Sequence, residues 1–213
     1  MTLNSGVTDL PVRATLYRSE PEQFQPRLPL LQVQSAVVTL PPSTLEREQN
    51  GLVKLPAGEY LNLTLENQGQ ETLSAYVILL DGMGQLNVFT PLSSSSSLLA
   101  LQLSAGSRLE IPSTVANNAQ AYLYPDLLTC SPRGLTELLI VISLTPFKQS
   151  LEQLHARKDS DHGNHRELLY LDRPLEWVQT LLSELTQPAS DLSDLRYLQH
   201  QRVASLSLVY AVV

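Results

Sequence analysis

From Tyr60 to Pro91 the apolar and polar positions alternate, merge into an apolar run, and then break at a turn, a rhythm that predicts three successive strands. Leu61, Leu63 and Leu65 are interleaved with Asn62, Thr64 and Glu66, the period-two pattern of a strand with one face in a core. Asn67-Gln68-Gly69-Gln70 supplies turn chemistry. Leu73 to Leu80 then runs almost wholly apolar, as expected of a strand covered on both faces. Asp81-Gly82-Met83-Gly84 makes the next tight turn, and Leu86, Val88 and Phe89 open the third strand.

The same reading extends along the chain. Leu31 to Leu40 predicts a strand ended by Pro41-Pro42. Leu98 to Leu103, Arg108 to Ile111 and Ala121 to Tyr124 are short strand candidates separated by Ala105-Gly106 and Asn117-Asn118. Leu138 to Leu144 is another apolar strand. After Pro146 the period changes: Phe147, Leu151 and Leu154 fall on one helical face. Leu175, Val178, Leu182 and Leu185 repeat the helical spacing, with Pro174 suited to a first turn and Trp177 expected as a core anchor. A charged loop, Lys158 to Arg166, separates the two helices. Leu206, Leu208, Tyr210 and Val212 then share one face of a last strand.

The expected fold is therefore α+β and mainly β: an antiparallel β-sandwich, Ig-like or jelly-roll, with two helices between the penultimate and last strands. Residues 1–30, punctuated by Pro11, Pro21, Pro26 and Pro29, read as an arm or linker holding one short strand near Val12 to Tyr17. Residues 31–213 read as a single domain with a helical insertion at about 147–187.

Composition narrows the partners. The chain has 213 residues, 43% of them hydrophobic, enough to bury one large core. Its formal charge of −7 argues against nucleic acid, whose phosphates are neutralised by Lys and Arg, and against an anionic membrane surface. Cys130 is the single cysteine, so no intrachain disulfide can form. The segment from Met1 to Gly6 lacks a basic stretch followed by an apolar one, and no apolar run approaches the roughly 18 residues of a membrane span. A cytoplasmic protein is expected.

Candidate chemistry is sparse. Cys130, in Leu128-Thr129-Cys130-Ser131-Pro132, would need an imidazole to take its proton. His162-Gly163 follows it in the chain, the reverse of the order in caspase-like enzymes, so the cysteine reads as a loop residue. His155, His162 and His165 are the weak candidates for zinc, but no fourth ligand is evident and Arg157, Lys158 and Arg166 oppose a cation. Asp159, Asp161 and Gly163 start like a calcium loop, with Tyr170 where a closing glutamate belongs. Asp81 to Gly84 lacks the lysine and following helix of a phosphate loop and reads as a β-turn. Ser93 to Ser97 reads as an exposed low-complexity loop. Tyr122 and Tyr124, two apart, present a possible stacking platform for sugar or peptide, flanked by Asn117 and Asn118. No cofactor and no catalytic constellation is expected.

The apolar block also carries a resemblance. The "lENqg" turn after the first strand and the run "YvilLDgmGqlnVftP" from Tyr76 resemble the β-rich domain of unknown function found C-terminal to caspase-like peptidase domains in bacterial, especially cyanobacterial, proteins. Three further stretches match: the Lys54-Leu55-Pro56-Ala57-Gly58 lead-in, the strand Leu138 to Leu144 followed by Thr145-Pro146-Phe147 and a helix, and the run Val203 to Val213. The resemblance spans Leu52 to Val213. It implies a non-catalytic accessory or regulatory domain whose partner is a caspase-like peptidase domain, in cis or in trans. Its contact surface is expected around Ser93 to Leu99 and Asn117 to Tyr124. A stand-alone module binding sugar or peptide through Tyr122 and Tyr124 is the alternative.

Overall fold

The structure is a computed structural model that describes residues 10–19, 26–34, 37–39, 52–89, 101–111, 132–160, 168–186 and 203–213. Its front sheet is built from β1 (Val12–Ser19), β2 (Pro26–Gln34), β3 (Val37–Thr39), β5 (Tyr60–Asn67) and β9 (Arg108–Ile111), in the order β3-β2-β1-β5-β9. The back sheet runs β11 (Leu168–Tyr170), β7 (Leu86–Phe89), β6 (Leu73–Leu80), β10 (Gly134–Ser143), β12 (Val203–Val212) and β4 (Val53–Leu55), with β8 (Leu101–Leu103) also paired to β6. Helices α1 (Gln149–Ser160) and α2 (Pro174–Thr186) pack on the outer side of the back sheet. The result is a mainly β sandwich with a partial third layer of helices.

Strand parity explains the layering. In β5, Leu61, Leu63 and Leu65 are buried, and β1 sets Ala14 and Leu16 opposite Leu65 and Leu63, so both strands turn the same apolar face inward. Their other face is polar, with Arg13 opposite Glu66 and Thr15 opposite Thr64. In β6 both faces are apolar because both are covered. Leu73, Ala75, Val77 and Leu79 enter the sandwich core, while Tyr76 and Ile78 join a second cluster with Phe147, Leu154, Trp177 and Leu181. The central strand β10 divides likewise, Leu138, Ile140 and Ile142 facing in and Val141 facing the helices. Each fully buried Leu or Ile contributes on the order of 1.5–3 kcal/mol.

Two devices hold the register. Gly82, in the turn after β6, crosses the entry to β10 at Gly134, whose φ is 131°. A Cβ on Gly82 would lie 2.4 Å from the Arg133 carbonyl oxygen, so only a bare backbone fits. Asn67, buried at the end of β5, donates its amide to the carbonyls of Glu71 (2.7 Å), Leu103 (3.0 Å) and Ser104 (3.1 Å). It thereby ties a front strand to the β8 turn at the edge of the back sheet.

Several sequence expectations change in detail. The strand expected over Leu31 to Leu40 is a hairpin, β2 and β3. Residues expected to form an arm contribute β1, which is paired on both sides within the front sheet. The pairing is not wholly antiparallel, since β4 runs parallel to the end of β12. A short strand, β11, stands between the helices and pairs with β7. In α2 the buried positions are Trp177 and Leu181, whereas Leu175, expected on the apolar stripe, is 75% exposed. Among the described residues, no helix is long and apolar enough to cross a membrane.

Candidate functional site

Tyr122, Tyr124, Asn117, Asn118, Cys130, His162, His165 and Ser93 to Ser97 lie outside the described residues, and of His155 only the backbone, within α1, is described. Among the described residues, no group of three or more His, Cys, Asp or Glu could hold a metal ion. Asp81 to Gly84 forms the expected turn: Asp81 Oδ1 accepts from the Met83 and Gln85 amides, each at 2.9 Å, and closes the loop on itself.

Among the described residues, the most concentrated polar chemistry lies where the helices meet the back sheet. Lys148 precedes α1, so the helix begins without the Ser, Thr, Asp or Asn that ordinarily caps an N-terminus. Glu184 of α2 supplies the cap from across the layer. Its Oε1 accepts the Lys148 and Gln149 amides, both at 2.6 Å. Its Oε2 accepts the Ser150 amide at 3.0 Å and the Ser150 hydroxyl. The negative carboxylate is favoured there by the helix dipole as well. Ser150 Oγ also lies 3.2 Å from the Tyr76 hydroxyl, and the Trp177 indole N–H donates to the Ser150 carbonyl at 3.0 Å.

A serine, a carboxylate and a phenol in contact resemble a nucleophilic relay, but the geometry is that of a joint. Ser150 and Trp177 have no exposed surface and Tyr76 has 1%. Both carboxylate oxygens of Glu184 are already engaged by donors. Burial raises the Tyr76 phenol well above the usual tyrosine range; the Ser150 hydrogen bond opposes that rise and the Glu184 charge adds to it. The ring stacks on Phe147 (centroids 4.4 Å apart) and meets the Trp177 edge at 5.3 Å. The cluster anchors helices to sheet. Its one trace in the sequence is the missing local cap before Gln149.

The surface feature of note is an apolar corner on the outer face of the back sheet. Tyr76, Ile78 and Val141 on that face lie under the helices. Further along the same strands the cover stops, and Leu80 is 39% exposed and Leu135 60%. Register places Leu80 opposite Glu137, and Leu135 opposite the half-buried Ala211. Val209 lies beside Glu137, which accepts the Ser207 hydroxyl at 2.5 Å. Met83, 72% exposed, projects from the turn that follows Leu80, and Val213 is exposed at the end of β12. Sequence reading assigned Leu80 to a core strand and Met83 to a turn, and gave no role to Leu135.

Compared with protein-family models, with curated proteins and with solved structures, the chain matches none.

Proposed function

We propose that this chain is a non-catalytic protein-interaction domain, with the corner formed by Leu80, Met83 and Leu135 as its contact surface. The observation that carries the reading is the exposure of Leu80 and Leu135 on neighbouring strands of one sheet face, with Met83 exposed in the turn that follows Leu80. Exposed apolar side chains grouped in this way are characteristic of surfaces that bury against a partner. The sequence resemblance supports a caspase-like cysteine peptidase domain of bacterial origin as that partner, acting in the cytoplasm, with this chain in an accessory or regulatory role. The saturated carboxylate at Glu184 and the buried hydroxyls beside it support a part without chemistry of its own.

The test is the affinity of the chain for a recombinant caspase-like peptidase domain, measured before and after replacing Leu80, Met83 and Leu135 with serine. Each position is already exposed, so the fold is expected to survive. Loss of central apolar anchors should weaken binding by tenfold or more, in the manner of roughly 2 kcal/mol hot spots. Unchanged affinity, with the circular dichroism of the wild-type chain, would sink the reading.

A further inference from the structure

On the front sheet, Glu66 lies opposite Arg13 of β1 and Arg108 of β9 and is within ion-pair distance of both. Cross-strand pairs of opposite charge suit a solvated sheet face. Glu137, inside the apolar corner of the back sheet, has a different setting. Its cross-strand neighbours are Leu80 on β6 and Val209 on β12. Its neighbours on the same face of β10 are Leu135 and Leu139, so all four flanking positions are apolar. The side chain is half-buried, and its Oε1 accepts the Ser207 hydroxyl, a neutral donor. Lys54 shares the face but lies beyond β12, opposite Ala211. Neither the strand pairing nor the core asks for a charge at position 137. A partner docked on Leu80 and Leu135 would strip water from this carboxylate, and one serine hydroxyl does not offset the lost hydration of a full charge. The occupant of the corner must bring a positive donor to that point.

We propose that the corner takes a polypeptide segment in which an arginine stands between apolar side chains, the arginine meeting Glu137 and its apolar neighbours packing on Leu80 and Leu135. Arginine fits better than lysine, because a guanidinium is more weakly hydrated and offers its N–H donors in the plane a carboxylate accepts. Ser207 already engages Oε1, which limits rotation of the carboxylate before the segment arrives. The proposal rests on the reading of the corner as a contact surface and adds the charge that its partner must carry. A lone acid on an apolar face can instead serve only to keep chains from associating with one another. The two roles part in binding.

The test needs no identified partner. A phage-displayed library of random peptides is selected on the immobilised full chain, and clones that also bind the chain carrying both Leu80→Ser and Leu135→Ser are discarded. The expected survivors carry an arginine flanked by leucine, valine or aromatic residues. A synthetic peptide of the most frequent sequence should bind about thirtyfold more weakly when its arginine is replaced by citrulline, the uncharged isostere, or when the chain carries Glu137→Gln. The two changes together should cost little more than either alone, since each removes the same pair. Glu137→Gln keeps an acceptor for Ser207, and circular dichroism checks that the fold is retained. Survivors without a basic residue, or a peptide indifferent to Glu137→Gln, would overturn the proposal while leaving the corner a contact surface and Glu137 a guard against self-association. A selection with no survivor that depends on Leu80 and Leu135 would overturn the proposal and the contact surface together.

Discussion

The two outer faces of this sandwich are built on opposite principles. On the front sheet, Arg13 pairs with Glu66 at 3.4 Å, Arg108 with Glu110 at 2.9 Å, and Arg13 donates to Gln34 at 3.1–3.2 Å. Arg108 also reaches the buried Thr64 hydroxyl at 3.4 Å, and these charged side chains meet water at their tips. On the back sheet the outer face is apolar at Tyr76, Ile78 and Val141, where the helices cover it. The difference teaches that a sheet announces its third layer in its own strands: an apolar outer face requires either helices or a partner.

Variants should separate the two faces most sharply at Trp177. Trp177→Ala removes the largest fully buried side chain of the helical layer and should cost about 3–5 kcal/mol, measured by urea unfolding. A loss below about 1 kcal/mol would mean that the layer adds little to the fold. Tyr76→Phe should cost less, about 0.5–1.5 kcal/mol for one hydroxyl hydrogen bond. It should also change the alkaline behaviour. Below about pH 10 the phenol is neutral in both folded and unfolded chains, so its contribution is fully present there. Above that the unfolded chain releases the proton while buried Tyr76, its phenol raised, keeps it, so stability falls as pH rises. Unfolding curves from pH 8 to 11 should show a shallower decline in the phenylalanine variant. The smallest effect belongs to the front face: Arg108→Ala should change stability by about 0–1 kcal/mol and lose even that in high salt. A larger effect would place that ion-pair row among the determinants of the fold.

Much of this architecture was legible before the structure. The alternation in β5 and the apolar run of β6 are properties of single strands, and they set which faces are covered. β12 was equally plain, with Leu206, Leu208, Tyr210 and Val212 all buried. What could not be read depends on partners distant in the chain. β11 is three residues long, too short for a period, and its neighbour is the edge of β7. In α2 two helical stripes compete, Leu175-Val178-Leu182-Leu185 and Trp177-Leu181-Glu184, and docking onto Tyr76 and Ser150 selects the second. The remote cap is invisible locally because its carboxylate lies some thirty-five positions from the amides it holds. The apolar corner was missed for a related reason: Leu80 continues an apolar strand, and nothing in the strand marks where the helices above it end.

Asn67 carries a consequence for chemical ageing. Hydrolysis of its amide would replace a donor with a carboxylate oxygen facing the carbonyls of Glu71, Leu103 and Ser104, so that three attractions become three repulsions between the sheets. The usual route to that damage begins with the next backbone nitrogen attacking the side chain. In this chain the Gln68 nitrogen is held by its N–H on the Pro11 carbonyl at 2.7 Å, and the Asn67 side-chain oxygen is held by the Gly69 amide at 2.9 Å. The contacts that would make the lesion costly also keep its reacting atoms from meeting, so Asn67 should outlast the asparagines of freer turns as the folded protein grows old.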